Sequence, residues 1–193
     1  MKREDIYRVF SNIPTLQTER LILRPAHPRL AVKTAAFYLK NKDFLQPFEP
    51  KYDGRFTTVA YQRALLRQDR QMEREDRGVR LWLFRREDPE TAIGCVVLSN
   101  IILGAFRSCT VAYKMDKDLL RQGYATEALS AAVELAFHGL NLHRVEASIM
   151  PRNAASLALA RRCGFVEVGR SPRYICINGV WEDHIHMARL NEE

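Results

Sequence analysis

The chain has 193 residues, 47% hydrophobic and 27% charged, which suits one domain with a sizeable core and excludes a disordered chain. Its apolar runs fall far short of a membrane span, and Met-Lys-Arg-Glu-Asp at the start lacks the apolar stretch of a secretory signal. A cytoplasmic protein with no membrane partner is therefore expected. The net charge of +7 suits a polyphosphate ligand or work near RNA, but no run of five basic residues exists, which argues against a dedicated DNA-binding arm.

Residues 1–17 read as a polar lead-in. Residues 19–25 read as a strand stopped by Pro25, and Pro28 as the first-turn proline of a helix reaching about Asn41. Residues 43–56 hold Pro47, Pro50 and Gly54 among aromatics, a loop that either lines a pocket or plugs a core. A helix is predicted over 57–77, capped by Thr57 or Thr58 and ended by Gly78. Two strands, 79–85 and 92–99, flank a turn at Glu87-Asp-Pro-Glu90. A third, 109–115, alternates so that Cys109, Val111, Tyr113 and Met115 share one face.

Residues 123–138 carry a helical stripe of Leu129, Ala132, Val133 and Ala136. A strand over 144–150 ends at Pro151, and a short helix over 154–163 stops at Gly164. A hairpin, 165–177 and 180–189, turns on Asn178-Gly179. One domain over 1–193 results, with a mixed sheet of about seven strands and four helices on its faces, an α+β (α/β) fold. Cys95, Cys109, Cys163 and Cys176 form no CxxC pair and read as buried free thiols. His184 and His186 share a strand face without a third ligand nearby, so no metal site is expected.

Chemistry concentrates in three places. Gly123 and Ala125 sit between a strand and a helix, where small residues let backbone N–H groups and the helix dipole approach a pyrophosphate. Asn153-Ala-Ala-Ser156 follows the next strand, and Arg162-Cys-Gly-Phe165 closes the short helix. Together these resemble the GCN5-related N-acetyltransferase (GNAT) superfamily. Further segments are similar to its RimJ/RimL group of ribosomal-protein alanine and serine N-acetyltransferases: Leu16–Arg24, Asn41–Pro50, Gly123–Leu129, His143–Glu146 and Asn178–His184. One departure is Leu120, where the superfamily has Gln or Arg; Arg121 and Gln122 stand beside it.

The resemblance implies the GNAT acyl-CoA N-acyltransferase fold and direct transfer from acetyl-CoA to an amine, without a metal or a covalent enzyme intermediate. It assigns cofactor binding to Tyr113, Met115, Arg121, Gln122, Gly123, Tyr124, Ala125, Thr126, Asn153 and Ser156. The oxyanion donor falls on a backbone N–H of Tyr113–Met115, where a β-bulge is expected to splay two strands. The thiolate's proton donor falls on Ser156, whose alternative is a helix-capping hydroxyl. Glu49 is the candidate base, with Asp183 behind it, and Phe48, Tyr52 and Tyr174 are candidates for the acceptor site. The acceptor is expected to be the N-terminal amine of a ribosomal or other protein, with Ala or Ser first, and the alternative is a small amine such as a polyamine, an amino acid or an antibiotic; ribosome association follows from the former. A homodimer is an open alternative for assembly, and a non-catalytic CoA-binding module is the alternative from another class.

Overall fold

The structure, a computed structural model, describes residues 13–192. The lead-in up to residue 12 lies outside that range, and its remainder is not all loop. Leu16–Gln17 form β1, which pairs antiparallel with β2 (Leu21–Pro25) and brings the sheet to eight strands instead of about seven. A 3-10 turn at Pro28–Leu30 leads into α1 (Ala31–Leu45), which overruns its expected end. The cause is Asn41, buried and satisfied: its amide donates to the Phe37 carbonyl at 2.9 Å and its carbonyl accepts from the Lys117 N–H at 3.0 Å. A second 3-10 turn covers Gln46–Phe48.

Helix α2 (Val59–Arg74) is capped by Thr58, whose hydroxyl accepts from the Tyr61 N–H at 3.3 Å. Asp76, at φ 54°, takes the left-handed turn expected of Gly78. Gly78 instead opens β3 (Gly78–Arg85), where a Cβ would stand 3.0 Å from the Leu98 carbonyl oxygen. Then follow β4 (Ala92–Ile102), β5 (Ser108–Met115), α3 (Tyr124–Glu134), β6 (Arg144–Ile149), α4 (Ala154–Arg162), β7 (Val166–Ile177) and β8 (Val180–Leu190). Helix α3 ends in a π turn over Leu135–Gly139.

The sheet runs in the order β1-β2-β3-β4-β5-β6-β8-β7. Every pairing is antiparallel except β5 with β6, the strands joined by the α3 crossover. Alternation along the strands builds two cores. Leu21, Leu81, Val111, Val145, Ala147 and Met187 pack with Leu129, Val133 and Leu157 of α3 and α4 on one face. Trp82, Phe84 and Cys95 pack with Phe37, Tyr38 and Leu66 of α1 and α2 on the other.

The expected bulge lies on β4 rather than on β5. Leu83 pairs with Gly94 and Phe84 with Ala92, which leaves Ile93 as the extra residue. Gly94 faces Met115 on β5. A Cβ there would sit 2.4 Å from the Lys114 carbonyl oxygen, so only glycine lets β5 approach. Gly94→Ala is therefore expected to displace the end of β5 and to cost about 1–3 kcal/mol in a denaturant titration. Unchanged stability with full activity would contradict the close approach.

Candidate active site

Strands β5 and β6 pair only over Ser108–Thr110 and Arg144–Glu146. Beyond Thr110, β5 continues to Met115 bonded to β4, while β6 continues to Ile149 bonded to β8. A wedge opens between them, and the β5 backbone bordering it has no strand to bond. Such groups need a partner, and an extended ligand arm supplies one.

On the α3–α4 face, Tyr113 reaches across this wedge. Its Oη lies 2.7 Å from Ser156 Oγ and donates to the Ser156 carbonyl at 3.0 Å. Asn153 is the N-cap of α4, its Oδ1 accepting from the Ser156 N–H at 3.1 Å. The cap is thus supplied by Asn153, and the Ser156 hydroxyl is turned to the phenol. Burial pushes the Tyr113 phenol up to about 12 against the lowering effect of Ser156. The phenol is protonated at neutral pH and able to donate. The sequence placed Tyr113 among the cofactor-binding residues and the proton donor on Ser156; that the two hydroxyls meet depends on how α4 packs on β5.

The turn before α3 holds two left-handed residues, Arg121 at φ 60° and Gly123 at φ 85°. Gly123 is the N-cap, and no side chain caps the helix, which leaves first-turn N–H groups for an anion. Leu120 is extended and 42% exposed, so its side chain adds no polar group. The Gln122 amide donates back to the Asp118 carbonyl at 3.3 Å, and the contribution of the turn to a ligand is mainly backbone.

Arg20 braces this turn from 100 residues away. It donates to the Gln122 carbonyl at 2.9 Å, pairs with Glu127 at 2.8 Å and lies 4.6 Å from the centre of the Tyr124 ring. Burial favours protonation of Glu127, but hydrogen bonds from Thr18 and Arg20 outweigh it and hold the carboxyl below its usual range. A carboxylate in the first turn of an anion-binding helix is thereby neutralised. The residues for a pyrophosphate fit that group. Behind the turn, Lys40 of α1 bridges Asp116 at 2.7 Å and Asp118 at 2.8 Å.

On the opposite face of β5, Lys114 meets Glu49 at 2.7 Å, with 14% and 18% of the two side chains exposed. Burial opposes the ammonium charge, yet Glu49 and neighbouring groups outweigh it and raise the Lys114 pKa. Tyr52 stacks on Phe56 with centroids 3.9 Å apart, and its hydroxyl is buried beside Glu49. Burial raises the Tyr52 phenol, and Glu49 adds to that while Lys114 opposes it.

The remaining acceptor candidates are spread more widely. Phe48 lies under the Arg152 guanidinium at 5.4 Å, and Arg152 also pairs with Glu182 at 2.9 Å. Gln46 and Asn178 exchange hydrogen bonds that tie this loop to the β7–β8 hairpin. Tyr174 stands on β7 instead, edge-on to His184 and His186. Asp183 is taken by the Arg173 N–H and Arg170, which hold its carboxyl below the usual range and leave it orienting the hairpin. Cys176 is only half-buried, whereas the other three thiols are buried. Among the described residues, no cluster of three His, Cys, Asp or Glu side chains is placed to hold a metal.

The chain is similar to known proteins in sequence and in fold. Residues 20–166 fit the family model of an acetyltransferase (GNAT) domain. The chain is 32% identical over 180 residues to the ribosomal protein uS5-alanine N-acetyltransferase of Escherichia coli (strain K12), covering 92% of each. The crystal structure of ribosomal-protein-S5-alanine acetyltransferase from Vibrio fischeri is similar with a TM-score of 0.88 at 28% identity, over 94% of this chain and 98% of that one. Mycobacterium smegmatis RimJ in complex with CoA-disulfide gives 0.84 at 28% identity, over 89% and 82%.

Two outcomes follow from this geometry. Arg20→Ala is expected to weaken acetyl-CoA binding about tenfold in a calorimetric titration, since Glu127 then faces the phosphates unpaired; unchanged affinity would show that the brace is dispensable. Ser156→Ala and Tyr113→Phe are each expected to lower kcat about 10- to 100-fold with acetyl-CoA affinity retained. Equal turnover would leave the pair a framework contact only.

Proposed function

The chain belongs to the GNAT acetyltransferase family, and from that premise we propose that it acetylates the N-terminal amine of a ribosomal protein, one beginning with Ala or Ser. The observation that carries this reading is the two-sided wedge. Tyr113 and Ser156 border it on the α3–α4 face, and on the other face stand Lys114 and Glu49, the latter on a loop tied to the β7–β8 hairpin by Gln46 and Asn178. Likeness to an uS5-alanine acetyltransferase along nearly the whole chain supports a protein acceptor. An enzyme whose acceptors are made by ribosomes belongs in the cytoplasm, and a net charge of +7 suits approach to rRNA. No helix among the described residues is long and apolar enough to cross a membrane.

In this reading the Arg121–Thr126 turn takes the pyrophosphate on its N–H groups, and the free edge of β5 at Tyr113–Met115 pairs with the pantetheine arm. A backbone N–H of that edge receives the oxyanion as the amine attacks the thioester carbonyl. The C–S bond breaks, and the thiolate takes a proton from the Ser156–Tyr113 pair. Glu49 Oε2 is engaged by Lys114, which leaves Oε1 to receive the acceptor's ammonium. Phe48 and Tyr52 wall that side, and positioning supplies much of the rate.

Mass spectrometry of intact ribosomal proteins from cells with and without this chain tests the acceptor. One protein with an Ala or Ser N-terminus is expected to lose the mass of a single acetyl group when the chain is deleted. An unchanged set of masses, together with acetylation of a polyamine by the purified enzyme, would move the acceptor to a small amine.

A further inference from the structure

The face of β6, β8 and β7 that turns away from α3 and α4 carries a row of polar side chains that the steps above leave unused. On β6, Ala147 and Ile149 are buried in the core shared with α3 and α4. Ser148 between them therefore points to the opposite face, the one on which Lys114 stands. His186 is its direct partner on β8. Ser148 Oγ lies 3.0 Å from His186 Nδ1, and Ser171 Oγ of β7 lies 2.8 Å from Nε2. One imidazole is thus held at both nitrogens by hydroxyls from two other strands.

Position makes this row more than a sheet contact. The last β5–β6 pair is Thr110 with Glu146. Two residues beyond that pair stand Ala112 on β5 and Ser148 on β6, where the strands have parted, and Lys114 lies two residues further along β5. All three members are half-buried, so a proton passing along the row stays within reach of water. The other ionisable neighbours each have a contact of their own. Tyr174 of β7 packs its ring against His186 at 4.8 Å. His184, further along β8, has its Nδ1 on the Glu182 carbonyl at 3.0 Å. Glu146 of β6 pairs with Arg144 at 2.6 Å, and Arg170 of β7 pairs with Asp183 at 2.8 Å.

We infer that His186 is the base for the acceptor amine, acting through Ser148, while Ser171 holds the ring in its Nε2–H tautomer. The inference rests on the amine-acetylation reading. Ser148 Oγ takes a proton from the ammonium as its own hydroxyl proton passes to Nδ1, forming imidazolium. The freed nitrogen lone pair forms the C–N bond and the C–S bond breaks. The thiolate takes a proton from the Ser156–Tyr113 pair, and the second nitrogen proton, lost as the amide forms, replaces it through solvent. The imidazolium returns its Nδ1 proton through Ser148 to water. One proton leaves per turnover, as conversion of an ammonium and a thioester to an amide and a thiol requires. Ser148 touches the substrate; His186 and Ser171 act through it, the ring nitrogen taking the proton that the serine hydroxyl hands on.

Two measurements on the full chain test this. Nitrogen NMR of the His186 ring, with no substrate present, is expected to show Nε2–H and an unprotonated Nδ1; an Nδ1–H ring would overturn the inference whatever the acceptor. The second is the pH profile of acetyl transfer to a peptide carrying the N-terminus found by mass spectrometry. His186→Gln is expected to lower kcat about 100-fold near pH 6.5 with both KM values held. The deficit should shrink towards pH 9, where an α-amine of pKa about 8 is already neutral. A loss of equal size at every pH, or none at all, would overturn the role. If the wild type transfers nothing to that peptide, the acceptor reading fails, and the tautomer still decides for or against His186.

Discussion

After three residues of parallel pairing, β5 and β6 diverge, and the features of the site follow from the backbone groups left at the edge of β5. A strand edge beside a core has to bond something, because an unpaired buried N–H or C=O costs about 1–3 kcal/mol. Here the ladder stops at Thr110 and Glu146, and the proposed pantetheine arm would take the place of the missing strand. The divergence is held from behind. The β4 bulge at Ile93 presents a carbonyl that accepts from the Asp116 N–H at 2.8 Å, and Lys40 and Asn41 of α1 anchor the segment that follows. The end of β5 is therefore tied to β4 and α1, while the end of β6 is tied to β8.

Because side chains alternate on a strand, one wedge serves two chemistries. Tyr113 points to α4 and meets a hydroxyl, while Lys114 points to α1 and meets a carboxylate. In the proposed reaction the leaving group and the incoming amine are thus approached from opposite faces of the same sheet. Charge is distributed on the same plan. Near the phosphate turn Arg20 cancels Glu127, so the helix N-terminus keeps its attraction for anions. On the other face Glu49 balances Lys114, so the charge of a buried lysine is paired where the acceptor is proposed to enter.

Much of this was legible in the chain. Asn178 and Gly179 both adopt positive φ, at 50° and 84°, as an Asn-Gly hairpin turn requires. The small residues before α3, and Asn153 before α4, fell where local backbone rules put them. What escaped were partners far apart in sequence. Nothing local links Lys114 to Glu49, Arg20 to Glu127, or Ser148 to His186 and Ser171, since each depends on strand order. The bulge was expected on β5 and lies on β4, because the extra residue is set by the register against β3, which periodicity along one strand does not reveal. Asn41 looked like a helix end by composition, and burial of both ends of its amide carried α1 onward.

The central claim is that acetyl-CoA fills the β5–β6 wedge from the α3–α4 face and leaves the Lys114 face to the amine. A crystal structure of this chain with acetyl-CoA tests it directly. The pyrophosphate is predicted on the Arg121–Thr126 turn, the pantetheine amide paired with the edge of β5, and the sulfur within hydrogen-bond reach of Ser156 Oγ or Tyr113 Oη. A cofactor lying outside the wedge, or one that enters from the Lys114–Glu49 side, would contradict the account.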